Sequence, residues 1–185
     1  MKCWNLACCL CLLACGGNSE RASALSNGCA IAASNQWLSG QVSAVIDGDT
    51  LVLNTGNSSE HIRLQGIDAP ELTQTEGAQA KQALSALALH QSVRLAYSQR
   101  DRYGRILGQV FNNNCNDLNK LMLQAGMAWF YKAYACDLES ERRQQYAAAE
   151  SHARAQGLGL WAQPQPIAPW VFRNGEDPAV PVCAD

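Results

Sequence analysis

Apolar residues alternate with polar ones at Val42, Ala44 and Ile46 and again at Leu51 and Leu53, and Asp47-Gly-Asp49 separates the two runs. Period-two alternation buries one face of each run, and Asp-Gly between two such runs is the strongest short-range hairpin signal. After a Gly-Asn-Ser-Ser turn a third strand is expected from His61 to Ile67. Within it Ile62 and Leu64 share one face while His61, Arg63 and Gln65 share the other, so Arg63 points away from the packed side. Ala80, Leu84, Leu87 and Ala88 then recur at helical spacing between Glu76 and about Gln91. Two more strands are expected near residues 92–98 and 105–111, reversed through Gly104. Leu118, Leu121, Met122 and Ala125 mark a short second helix that Gly126 can close, and a third, from Glu139 to Gln156, ends the same way at Gly157. Hairpin-joined strands without a helix between each pair argue for an α+β chain whose antiparallel meander closes into a small barrel.

A chain of 185 residues that is 48% hydrophobic can bury one real core. Its formal net charge of -2 and pI near 5.9 exclude the global positive field that drives sequence-independent binding of nucleic acid. Any polyanion must be gripped locally.

The first residues read as a leader rather than as fold. Lys2 precedes an apolar run from Leu6 to Ala14 that is too short to span a bilayer, and Leu12-Leu-Ala-Cys15 resembles a bacterial lipobox in which Cys15 carries lipid. Plain signal-peptidase cleavage nearby is the alternative. The expected organisation is a signal at 1–14, a tether at 15–39, a domain at 40–162 and a proline-rich tail at 163–185. Export to the periplasm or cell surface follows, lipid-anchored or otherwise secreted. Four cysteines, Cys29, Cys115, Cys136 and Cys183, stay with the exported chain and suggest disulfides. Of the three pairings that spacing leaves open, Cys115 with Cys136 and Cys29 with Cys183 is the one expected. A zinc site is disfavoured because the three histidines are scattered and no Cys-x-x-Cys pair survives.

Two carboxylates, Asp68 and Glu71, lie in a loop that Pro70 keeps from being helical, and Asp47 and Asp49 occupy the first hairpin. Asp49 and Asp68 can meet if the first and third strands lie side by side. Hard cations such as calcium take oxygen donors of this kind. Arg63 precedes the acidic loop and Arg105 follows the Asp101-Arg-Tyr-Gly104 reversal, and planar guanidinium forks match phosphate oxygens. A divalent cation, a spare carboxylate and two arginines are what phosphodiester hydrolysis requires.

In order and spacing, Ile46-Asp-Gly-Asp-Thr50, Arg63 with Asp68-Ala-Pro-Glu71, and Asp101-Arg-Tyr-Gly-Arg105 resemble the staphylococcal (micrococcal) nuclease family over residues 40–162. The resemblance implies a five-stranded antiparallel barrel of the oligonucleotide-binding (OB-fold) type with three helices, acting as a monomer on DNA and RNA with Ca2+ and leaving 3'-phosphoryl ends. It implies Asp49, Asp68 and the backbone carbonyl of Ala69 as calcium ligands. Alanine stands at position 69 where the family commonly has threonine, but a carbonyl ligand is indifferent to the side chain. Glu71 matches the residue that orients or deprotonates the attacking water, and Arg63 and Arg105 match the phosphate clamp. Tyr131 and Tyr134 lie in a stretch similar to the family's tyrosine-bearing loop, and Tyr103 beside Arg105 joins them as a substrate-binding candidate. The ending Pro166-Ile-Ala-Pro-Trp-Val-Phe-Arg173 is similar to those of exported bacterial relatives.

Other readings compete. Asp47-Gly-Asp49 alone is more often a simple turn, Arg63 a solvated strand residue, and Arg105 a surface partner of Asp101. Trp129 and Tyr146 read as packing residues. A barrel that binds nucleic acid without cutting it, or a surface lipoprotein that binds calcium structurally, remains the rival to the enzyme. Loss of catalysis normally shows as replaced arginines, glutamate or metal aspartates, and none is replaced here.

Overall fold

The structure, a computed structural model, describes residues 36–183; the leader, Cys15, Cys29 and most of the tether lie outside the described residues. Five strands form a closed barrel in the order β1, β2, β3, β6, β5: β1 is Gln36–Val45, β2 Thr50–Asn54, β3 Ser59–Leu64, β5 Ser92–Arg100 and β6 Ile106–Phe111. A two-residue strand, β4 (Ile67–Asp68), pairs with β7 (Trp129–Phe130) outside it. The helices are α1 (Gly77–Ala88), α2 (Leu118–Gln124), α3 (Ser140–Ala155) and α4 (Pro169–Asn174).

The alternation read from sequence fills the barrel. Val42, Leu51, Leu53, Ile62, Leu64, Leu95 and Ile106 are buried in one cluster with Ala80, Leu84 and Ala88 of α1. Burying each leucine or isoleucine is worth roughly 1.5–3 kcal/mol. Asp117 caps α2 by accepting from Lys120 N at 3.1 Å, and its carboxylate also accepts from Tyr146 Oη of α3 at 2.9 Å and from Arg142 Nη1 at 2.7 Å. One buried carboxylate thus locks α2 to α3. Among the described residues no helix is long and apolar enough to cross a membrane.

Four expectations are corrected. The barrel is not antiparallel throughout, because β3 and β6 run parallel, with Arg63 level with Leu107. An odd number of strands cannot alternate direction all the way round a closed ring, so one seam must be parallel. The third strand does not run unbroken to Ile67: Gly66, at φ +78°, turns the chain after Leu64 and starts β4. A fourth helix, α4, opens at Pro169 in the proline-rich ending, where the fixed φ of proline suits a first turn, and closes at the left-handed Gly175. The disulfide joins Cys136 to Cys183 across a Cα–Cα distance of 5.1 Å, which rules out both expected pairings. Cys115 instead accepts a hydrogen bond from Arg94 Nη2 at 3.0 Å.

Candidate active site

The hairpin between β1 and β2 and the loop after β4 form one structure. Asp47 Oδ1 accepts from Asp49 N at 3.0 Å, curling the turn, and Asp49 O accepts from Leu64 N at 2.8 Å. Gly48 is required by close approach and not by a left-handed conformation: a Cβ there would stand 2.6 Å from Ala69 Cβ and 2.7 Å from Ala80 Cβ. Asp49 Oδ2 in turn accepts from Ala69 N at 2.7 Å. Asp49 and Asp68 therefore do meet, though not because the first and third strands are neighbours. Strand β2 lies between those two, and its Thr50 pairs with Arg63, which delivers Asp49 beside the end of β3.

Arg63 ties the acids together. Its Nη2 is 2.7 Å from Asp68 Oδ1 and 3.1 Å from Asp49 Oδ2, while Nη1 donates to the carbonyls of Leu64 and Ile67, both at 2.9 Å. It lies on the outer face of the strand as expected, but the acidic loop folds over it and leaves it half-buried. Asp68 is 1% exposed and Asp49 5%. Burial pushes the Asp49 carboxyl up to about 7, against the pull of Arg63 and with help from Asp47 and Asp68. Burial likewise raises Asp68, opposed by Arg63 and Arg173. At both acids burial outweighs the pull of the neighbouring guanidinium groups.

Glu71 follows on the same loop, its backbone N donating to Gln74 Oε1 at 2.8 Å. Its partner comes from far away in sequence: Arg173 of α4 places Nη1 2.6 Å from Glu71 Oε1 and Nη2 2.8 Å from Asp68 Oδ2. Arg173 was given no role from sequence. The sole signal was the resemblance of its Pro-Trp-Val-Phe-Arg ending to other exported chains, which carries no information about which acids it would reach.

Arg105 stands apart from the acids. Its Nε is 2.8 Å from Asp101 Oδ2 and its backbone N donates to Asp101 Oδ1 at 3.0 Å, the partner anticipated by the less ambitious reading. The parallel register makes Arg63 level with Leu107, and Arg105 immediately precedes that neighbouring strand. Tyr103 is 69% exposed, with the Arg105 guanidinium 5.6 Å from its ring centre. Tyr131 stacks parallel to Trp170 of α4 at 5.2 Å, and Tyr134, 54% exposed, meets it edge-on at 5.0 Å. Burial first, and then the charge of Asp68, hold the Tyr131 hydroxyl above its usual range. Trp129 packs against Trp161 and Trp170, and Tyr146 is fully buried, in keeping with packing roles.

Comparison with known proteins gives the family. The family profile described as "Staphylococcal nuclease homologue" matches residues 61–163. The chain belongs to the staphylococcal nuclease family. An "Uncharacterized endonuclease" of Haemophilus influenzae is 42% identical over 137 residues, covering 74% of this chain and 73% of that protein. An "Uncharacterized endonuclease" of Escherichia coli is 38% identical over 135 residues, covering 73% of this chain and 84% of the other. A "Micrococcal nuclease" of Shigella flexneri is 35% identical over 143 residues, covering 73% and 80% respectively.

The acids gathered here are of the kind a hard cation takes, although among the described residues no three acidic, histidine or cysteine side chains converge as a ready-made metal cluster. Every donor is oxygen, and guanidinium groups already bridge Asp49 to Asp68 and Asp68 to Glu71. Positive charge thus already lies between these carboxylates.

Proposed function

We propose that this nuclease hydrolyses phosphodiester bonds of DNA and RNA with calcium, leaving 3'-phosphoryl ends. One observation supports the reading most: Asp49, Asp68 and Arg63, from three separate segments, meet at one point with both carboxylates buried. Asp49, Asp68 and the Ala69 carbonyl would hold the ion. When bound, calcium supplies Lewis acidity and neutralises phosphate charge.

The side chains perform the remaining work. Arg63, fixed by two backbone carbonyls, and Arg105, just before the neighbouring strand, clamp non-bridging phosphate oxygens and stabilise the charge that grows on them. Glu71 orients the attacking water and takes its proton, so that the oxygen attacks phosphorus as the 5'-oxygen leaves. Tyr103, Tyr131 and Tyr134 offer ring faces and edges to bases without regard to sequence. The absence of a global positive field makes substrate binding depend on these local groups and the cation.

The leader sequence supports export, with Cys15 as a lipid anchor, so that a monomeric enzyme meets nucleic acid in the periplasm or at the cell surface. The test of the whole reading is digestion of single-stranded DNA, duplex DNA and RNA by the oxidised protein, with calcium and with chelator, followed by end-group analysis. Cleavage that chelator stops and that leaves 3'-phosphates is expected. Binding without cleavage by folded protein would support the non-cutting module instead.

A further inference from the structure

Arg63 and Arg173 both bridge acids of the site, but they are held differently. Arg63 is anchored by two backbone carbonyls and is 13% exposed at its side chain, whereas Arg173 has its hydrogen bonds to the carboxylates of Asp68 and Glu71 and is 35% exposed. A guanidinium on a flexible stem with solvent beside it can leave. The helix that carries it cannot easily do so. Trp170 stacks on Tyr131 and donates to Asp177 Oδ1 at 2.7 Å, Gln74 Nε2 donates to Ile167 O at 3.0 Å, and the Cys136–Cys183 bridge fastens the chain beyond.

We propose that Arg173 is a built-in counter-ion of the acid site, which a divalent cation must displace from Asp68 and Glu71 in order to bind. The proposal rests on the calcium reading above and adds to it a residue that sets the affinity. The displaced guanidinium stays tethered within a side chain's length of the acids, so it competes at high effective concentration. Cation binding becomes an exchange of one positive group for another. The gain from filling the site is reduced by the charge-assisted bonds that are given up. The cation is thereby bound more weakly than two buried carboxylates alone would dictate.

The experiment is calorimetric titration of the full oxidised protein with calcium chloride, without nucleic acid, for wild type, Arg173→Gln and Arg173→Lys. The glutamine variant should bind calcium about tenfold more tightly, the scale of one partly exposed charge-assisted pair. The lysine variant, which keeps the charge but loses the fork, should fall between. Equal or weaker binding by a folded Arg173→Gln overturns the proposal while leaving the calcium reading intact. Failure of wild type and variant alike to bind calcium removes both. A second measurement needs no stable glutamine variant: the side-chain Nε–Hε resonance of Arg173 in wild type, assigned with Arg173→Lys, should shift on calcium addition as its carboxylate bonds break. A resonance that stays put as calcium saturates the protein also overturns the proposal.

Discussion

Arg63 Nη2 lies 2.7 Å from Asp68 Oδ1, and it draws that carboxylate, 1% exposed, towards a second buried acid, Asp49. Breaking a buried pair of this kind leaves an uncompensated charge, which typically destabilises by about 3–5 kcal/mol. The arrangement is therefore weak evidence for stability and stronger evidence for function. Buried, perturbed carboxylates cluster at functional sites.

Arg105 is bound to Asp101 in the structure, one residue before the strand that pairs with that of Arg63. If it clamps phosphate in the transition state, Arg105→Ala should lower single-turnover cleavage about 100- to 1000-fold, the scale for removal of one preorganised donor. The melting temperature should fall only modestly, because the Asp101 pair is partly exposed. Near-normal turnover would remove Arg105 from the reaction.

Acidification should weaken the 100–105 reversal. Burial raises the Asp101 carboxyl, but the hydrogen bonds from Arg105 Nε and from the backbone of Arg105 and Tyr103 outweigh it and hold Asp101 below its ordinary value. A depressed folded-state value contributes stability that is present above the unfolded value and lost as pH falls through the folded one. The stability difference between wild type and Asp101→Asn should thus persist from neutral pH down to about 4 and shrink below that, as read from denaturant midpoints across pH.

The Tyr146 hydroxyl donates to Asp117 while fully buried between α2 and α3. Tyr146→Phe keeps the ring and removes the donor, so it should cost about 1–3 kcal/mol in a urea melt. Cleavage by the folded fraction should be unchanged, since the pair is not part of the acid site.

Cys183→Ser opens the bridge to Cys136, a sequence separation of 47 residues. The loss should be about 2–4 kcal/mol by the loop-closure argument, seen as a lower unfolding midpoint that reductant reproduces in wild type. A midpoint insensitive to both changes would mean that α4 is held by its other contacts, those of Trp170 and Arg173.

The strands of the barrel were legible because Ile62 and Leu64, or Leu51 and Leu53, carry their burial pattern in their own spacing. Asp49, Asp68 and Glu71 were legible as local motifs, since turn chemistry and a proline fix them within a few residues. What escaped depends on distance along the chain. Arg173 reaches acids 105 and 102 residues earlier, and the pairing of Cys136 with Cys183 depends on α4 bringing the ending back over the barrel. No periodicity encodes either contact. The parallel seam between β3 and β6 is different: it follows from closing five strands, and counting them would have given it. Gly66 was also readable in principle, because an isolated glycine in a strand pattern signals a break.

The central claim is that the acid site cleaves phosphodiesters with Glu71 activating the water. The most direct test is the single-turnover rate on duplex DNA at saturating calcium for wild type and Glu71→Gln, an isosteric change at a half-exposed residue that spares the fold. Loss of the general base should slow cleavage by about 100- to 10,000-fold, with the melting temperature unchanged. Equal rates for the two proteins would contradict the account.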